Sequence, residues 1–291
     1  AVIPSGEAYK SLSGIEVIAD AALKAGLDRE GLIIGVGGGV VCDMAAFAAS
    51  IYMRGCRLYL VPTTLLAMVD ASIGGKTGVD FRDRKNLIGS FYPAEGVFIY
   101  TDFLKTLPER EFKSGLAEII KHAFLTGDDF IRFMEDERSA VLSRDETVLK
   151  DLIYKSLLVK ADYVERDFKE AGCRAHLNFG HTFGHALETA AGLGRFSHGE
   201  AVAWGMFRAF RAGKALKLID SGYAERAEKL LGDYGYNLDF NDFDLESYKD
   251  ALAADKKKKG GLVRFILQSG PGETFVTGIE TDVLDEVLSG R

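Results

Sequence analysis

The chain has little cysteine. Its three, Cys42, Cys56 and Cys173, are odd in number and show no CxxC spacing. That excludes a disulfide framework and a cysteine-rich zinc site, and it leaves small reduced thiols as expected in the cytoplasm. A metal ion would have to be held by imidazole and carboxylate. Long apolar runs are also lacking: none reaches the roughly 18–20 residues that a membrane span needs. Positive charge is in deficit, with 36 Lys and Arg against 43 Asp and Glu and a net charge of −7. This excludes nucleic acid or an anionic membrane as the main partner, but not a small basic pocket for an anionic metabolite. The first residues, Ala1-Val2-Ile3-Pro4-Ser5-Gly6-Glu7, lack the basic segment and apolar core of a signal peptide. They also lack an initiator Met, which reads as a processed or truncated chain. There is no internal repeat, and Lys256-Lys257-Lys258-Lys259-Gly260-Gly261 is the one low-complexity stretch, read as a solvated loop.

What is present is an ample apolar content, 47%, and a histidine cluster. Four of the five histidines fall between His176 and His198, in Leu177-Asn178-Phe179-Gly180-His181-Thr182-Phe183-Gly184-His185-Ala186 and Ser197-His198-Gly199-Glu200. Imidazole is the commonest side-chain metal ligand and the usual proton carrier near neutral pH.

The order of elements divides the chain. An amphipathic helix is predicted over 14–26, buried strands over 32–36, 57–61 and 96–100, and helices over 40–53 and 65–71. This alternation predicts a parallel α/β sheet. Beyond Pro108 helical patterns dominate: 109–125, from 128, 146–167, 180–191, 198–218 and 224–231. Brief strands are expected at 262–267 and 274–276. The expected division is an α/β domain over 1–100 and a mainly α-helical domain over 101–291.

Gly35-Val36-Gly37-Gly38-Gly39 lies between a strand and a helix, where backbone can approach a phosphate. Val40 stands at the third glycine position of GxGxxG, so a turn without a ligand stays open. Gly75-Lys76-Thr77 resembles the end of a P-loop, but Asp70 stands at the leading glycine. Asp70, Lys76, Lys85 and Asn86 nonetheless form a dense polar set. His181 and His185 share one helix face, as do Glu118 and His122. Glu118 sits in the apolar segment Gly115-Leu116-Ala117-Glu118-Ile119-Ile120. If buried, it must be paired, protonated or metal-bound. Two imidazoles and one carboxylate, with a fourth position open, make a zinc site. Spacing does not choose which two histidines.

Taken together, the motifs resemble 3-dehydroquinate synthases. The matching stretches include Gly37-Gly38-Gly39-Val40-Val41-Cys42-Asp43, Tyr52-Met53-Arg54-Gly55, Val61-Pro62-Thr63-Thr64-Leu65-Leu66, Gly74-Gly75-Lys76-Thr77-Gly78, Lys85-Asn86 and Thr106-Leu107-Pro108-Glu109-Arg110. Gly115 to Lys121, Leu177 to Ala186 and His198-Gly199-Glu200 complete the set. The resemblance implies a Rossmann-like N-terminal domain that binds NAD, a helical domain that holds zinc or cobalt, and catalysis in the cleft between them. It implies Glu118, His181 and His198 as metal ligands. It implies cofactor contacts at Glu7, Lys10, Gly38, Gly39, Asp43, Thr63, Thr64, Asp70, Lys76, Lys85 and Thr106. Substrate contacts would be Arg54, Asp70, Lys76, Asn86, Lys121, Lys160, Arg174, Asn178, His185 and one lysine of 256–259, taken as Lys256. A homodimer is expected, with a sugar-acid phosphate as the small-molecule partner.

The implied chemistry is oxidation of a ring hydroxyl by NAD, β-elimination of phosphate, return of the hydride, ring opening and aldol closure. NAD is regenerated, so the net reaction is that of a lyase. A carboxylate and a phosphate on one substrate call for several Lys and Arg in one pocket. Two departures stand out. Cys42 replaces a usual glycine and would be strained if φ were positive there. The family also carries a further stretch before Pro4, which supplies a strand and part of the adenosine pocket.

Overall fold

The computed structural model describes residues 1–82, 84–192, 194–240, 243–258 and 263–289, without the side chains of 254–258 and 289. The chain forms two compact units, Ala1–Gly115 and Leu116–Arg291, and the division falls inside helix α3 (Glu109–Thr126). The expected boundary after residue 100 falls earlier than this division, since Thr101–Lys105 and the first turns of α3 group with the first unit.

In the first unit, α1 (Leu12–Lys24) starts at Ser11, whose side chain accepts from Gly14 N. Strand β1 (Leu32–Gly37) leads into α2 (Gly39–Ile51), then β2 (Arg57–Pro62). β1 pairs parallel with β2, and β2 with the short β5 (Gly96–Val97), giving the order β1-β2-β5. α2 is rich in alanine for a reason: Cys42, Ala45, Ala46 and Ala49 pack on Leu58 and Leu60 of β2. Its other face meets Ile15 of α1 through Met44, Phe47 and Ala48. The α/β alternation is thus as the hydrophobic pattern requires.

The end of the glycine-rich patch at 72–78 and the charged stretch after it pair as an antiparallel hairpin, β3 (Lys76–Phe81) and β4 (Arg84–Phe91). Gly78 lies opposite Gly89, and a Cβ on Gly89 would fall 2.0 Å from the Thr77 carbonyl oxygen. Paired glycines here permit close backbone approach, although glycine ordinarily argues against strand. Val79 plugs the hairpin into the α1–α2 core.

The second unit contains the rest of α3, then α4 (Asp128–Asp136), α5 (Arg138–Leu142), α6 (Glu146–Arg166), α7 (His181–Ala191), α8 (His198–Ala215), α9 (Ser221–Asp233), α10 (Leu245–Lys258) and α11 (Thr281–Ser289). A hairpin of β6 (Phe265–Gly270) and β7 (Glu273–Thr277) lies between the last two helices. α8 is the central helix, buried over most of its length and contacted by α7, α9, α11 and β6. Phe124, Phe179 and Phe210 meet edge-to-face at its side, with centroids 5.1–6.4 Å apart. The lysine run is a correction too: Lys256 to Lys258 continue α10, a helix anchored by Tyr248 and Leu252, one turn apart and both buried. α11 likewise lies beyond the helices that the sequence pattern predicts. No helix among the described residues is long and apolar enough to cross a membrane.

Candidate active site

In the first unit, the turn after β1 brings four of the expected cofactor residues together. Thr63 N donates to Gly37 O at 2.9 Å, and the Cα of Gly38 faces the Thr64 methyl closely enough that a Cβ would stand 3.1 Å from it. α2 begins directly at Gly39, and no side chain caps it. An uncapped helix N-terminus of this kind offers unpaired N–H groups and a positive dipole end to a phosphate, so it suits the pyrophosphate of a dinucleotide. Cys42 sits in the first turn of α2 with ordinary helical backbone and no positive φ, so the strain considered for it does not arise. Burial pushes its thiol up to about 12.

One turn on, Asp43 is bound to Lys10, Nζ to Oδ2 at 2.6 Å, and the same ammonium donates to Asn86 Oδ1 at 2.5 Å. Asn86 adopts a φ of 53°, in the left-handed region that asparagine tolerates, and its N–H donates to Asp80 Oδ1. Lys10 is 5% exposed. Burial raises the Asp43 carboxyl to about 6, even against the pull of Lys10. Asp70 lies on a single π-turn, Ala67–Ala71, and Lys76 and Lys85 are exposed on the hairpin. Glu7, Arg54 and Thr106 are exposed on three separate short turns. Asn86, expected among the substrate contacts, joins the expected cofactor residues Lys10 and Asp43.

The second unit holds a denser constellation. α3 presents Glu118, Lys121 and His122 on one buried face. Glu118 Oε2 takes an ion pair from Lys121 Nζ. Its other oxygen, Oε1, is buried without a hydrogen bond and faces two imidazoles, His181 Nε2 and His198 Nε2, each at 3.4 Å. Ligand atoms bonded to a tetrahedral zinc ion at about 2.0–2.2 Å stand roughly 3.3–3.6 Å apart. The three donors therefore fit a cation, and they all lie within 4.8 Å of one another. His181 Nδ1 lies 3.2 Å from Phe179 O, which fixes the tautomer with a lone pair on Nε2. His122 is not part of this set of three; its Nδ1 meets Ser156 Oγ of α6 at 2.6 Å.

The crossing of α7 and α8 makes the convergence possible. Gly180, which starts α7, has a φ of 80°, and a Cβ there would meet Met206 and Val202 O of α8. On the other side, a Cβ on Gly205 would fall 2.0 Å from Gly180 O. With glycine at these contacts the two backbones touch, and His181 comes to within 5.3 Å of His198, ring to ring. Ser197 and Glu200 form a capping box that starts α8 at His198; that is the role of Glu200.

Electrostatics follow from burial and charge. Burial alone would raise the Glu118 carboxyl, but Lys121 and the two imidazoles outweigh it and hold it well below the usual range. Burial keeps His181 well below its ordinary value. It would lower His198 too, but Glu118 and Glu188 prevail and lift that imidazole to about 9.

Elsewhere in the second unit, Lys160 on α6 is buried, as is Arg174 in the Cys173–Asn178 turn that packs on α6. Arg174 Nη1 donates to Phe168 O at 2.5 Å, and Asp167 accepts the backbone N–H groups of Ala171, Gly172 and Arg174. Asn178 donates to Glu170 Oε1 at 2.5 Å. His185 is exposed, its ring 5.3 Å from His181. The Lys256 side chain lies outside the described residues. Glu188, not among the expected site residues, stands seven residues after His181 and so on the same face of α7; the spacing His-x3-His-x2-Glu is its signal in the sequence.

Two family models match the chain, one on either side of residue 114. One described as 3-dehydroquinate synthase N-terminal matches residues 1–114, and one described as 3-dehydroquinate synthase C-terminal matches residues 115–258. The 3-dehydroquinate synthase of Acidithiobacillus ferrooxidans is 46% identical over 277 residues, covering 95% of this chain and 76% of its own. Among solved structures, a 2-epi-5-epi-valiolone synthase from Streptomyces hygroscopicus subsp. jinggangensis, with NAD+ and Zn2+ bound, superposes with a TM-score of 0.92 at 27% identity, covering 99% of this chain and 81% of its own. A 2-deoxy-scyllo-inosose synthase complexed with carbaglucose-6-phosphate, NAD+ and Co2+ gives 0.90 at 30% identity, covering 98% and 80%. Matched across both units by family and at high identity by relatives, the chain belongs to the 3-dehydroquinate synthase family.

Proposed function

We propose that the chain converts 3-deoxy-D-arabino-heptulosonate 7-phosphate to 3-dehydroquinate and phosphate. The observation that carries the reading is the buried Glu118 Oε1 with His181 and His198 Nε2 each 3.4 Å away. Those three residues would hold a divalent cation, zinc or cobalt. Gly38, Gly39, Thr63 and Thr64 at the start of α2, with Lys10 and Asp43 one turn on, would hold NAD. When bound, NAD supplies a reversible hydride acceptor and the cation acidifies a substrate hydroxyl.

The chain's own side chains bind and orient. Lys160 and Arg174 are buried cations, suited to a substrate that carries both a carboxylate and a phosphate. The planar fork of Arg174 matches a carboxylate bidentately. Asn178, at the end of the same turn, carries an amide that donates to Glu170 Oε1 and would be the partner for a substrate oxygen. Lys121 keeps Glu118 ionised and therefore able to act as a ligand. His185, exposed next to His181, is the group placed to move a proton on the substrate.

Another sugar-phosphate cyclase acting on a substrate without a carboxylate has no need of Arg174 and Asn178 together. A polyol dehydrogenase has no need of buried cations for phosphate. A homodimer belongs to the same reading, and sedimentation equilibrium checks it. The deciding assay supplies the heptulosonate phosphate with NAD and zinc and follows phosphate. Stoichiometric release without accumulation of NADH is expected. Steady NADH production from a polyol, with no phosphate released from the sugar acid, defeats the proposal.

A further inference from the structure

His181, His185 and Glu188 stand at i, i+4 and i+7 on α7, so one helical face carries all three. The two imidazoles that face Glu118 differ in how their second nitrogen is held. On His181 it meets a backbone carbonyl, Phe179 O, at 3.2 Å. On His198 it faces a carboxylate: Nδ1 lies 4.0 Å from Glu188 Oε2, while Nε2 points at Glu118. Glu188 is 13% exposed and His198 29%, so this pair is partly shielded from solvent.

A neutral imidazole carries its proton on one nitrogen only, and a nitrogen that bears the proton cannot donate a lone pair. His198 stands at the first position of α8, its side chain 29% exposed, with the rings of His181 and His185 5.3 and 6.1 Å away. A carboxylate beside Nδ1 acts on the protonation of that ring, which ring packing alone does not set. It favours the tautomer protonated at Nδ1, orients the ring and raises the basicity of Nε2.

We propose that Glu188 is a positioning residue for His198, holding the proton on Nδ1 so that Nε2 is presented to the cation site. The proposal rests on the metal reading of Glu118, His181 and His198. It also assigns the neighbouring His185–Glu188–His198 set, whose donors lie within 4.8 Å of one another, to support of the first site and not to a second ion.

The experiment titrates the metal-free full chain with zinc against a chromophoric chelator, for the wild type, Glu188→Ala and Glu188→Gln, and records the visible absorption of each cobalt form. The wild type is expected to take one equivalent. Glu188→Ala is expected to bind zinc about 10–100-fold more weakly, with a changed cobalt spectrum at saturation and little change in the melting of the metal-free chain. Glu188→Gln, which keeps an acceptor oxygen without charge, falls between the two, and it carries the comparison if the alanine variant does not fold. Unchanged zinc affinity in both variants, or loss of a second zinc equivalent that the wild type binds, overturns the role of Glu188. A wild type that takes no zinc instead sinks the metal reading itself.

Discussion

Glu118 has no exposed surface, and each of its oxygens is answered differently: one by Lys121, the other by two imidazoles. Removing its charge therefore has two costs. We expect Glu118→Gln to lower zinc affinity by at least 100-fold, read by chelator competition. It also leaves Lys121 buried without its counter-charge, which destabilises the metal-free chain by roughly 3–5 kcal/mol in denaturant melts. Arg174→Ala tests the substrate end. We expect the KM for the heptulosonate phosphate to rise by at least tenfold with the Kd for NAD unchanged; equal KM values would remove Arg174 from the pocket. Asp43 gives a pH signature. Its carboxyl goes from about 3.8 unfolded to about 6 folded, so the native state holds the proton longer. Its favourable contribution is complete below the lower value and is lost as pH rises through the upper one. In cofactor-free protein, the stability of the wild type relative to Asp43→Asn is expected to fall by roughly 3 kcal/mol between pH 3.5 and pH 7. A flat difference refutes the raised carboxyl.

Among the elements, the α7–α8 crossing matters most for the centre. The helices touch through Gly180 and Gly205, where a Cβ has no room. Gly205→Ala forces the backbones apart at a cost of roughly 1–3 kcal/mol or more. It moves His181 relative to His198, so we expect zinc affinity to drop about tenfold or more as well; a variant that loses stability but binds zinc normally would show that the crossing does not set the spacing. The glycine hairpin of β3 and β4 gives the complementary lesson about legibility. Glycine and charge there read as loop, because intrinsic preference sees neither Gly78 facing Gly89 nor Val79 reaching the core. α10 was missed for a related reason. Its lysines are polar all round, and the anchor is two buried residues, Tyr248 and Leu252, rather than a continuous stripe.

For the molecule as a whole, two compact units with separate groups of candidate ligands lead to a regional expectation. A metal bound to the native state alone stabilises it by about 4 kcal/mol at a thousandfold excess over Kd. Chelation is therefore expected to reduce hydrogen-exchange protection around residues 118, 181 and 198 and to abolish phosphate release. NAD is expected to protect residues near 37–43 and 63–64. Protection by zinc confined to the first unit would contradict the assignment.

The sequence by itself determined the alternation of strand and helix up to about residue 71, the helical character beyond residue 108, and the nature of the donors. With three scattered cysteines, a metal had only imidazole and carboxylate available. Periodicity records which residues share a face, so it linked His181 with His185 and Glu118 with His122. The family resemblance implied that Glu118 goes with His181 and His198; only the tertiary structure decided that His122 turns instead to Ser156 and that Glu188 stands behind His198. Those pairings depend on how closely two helices cross and on what lies against each ring nitrogen, and neither is written in the spacing along one chain.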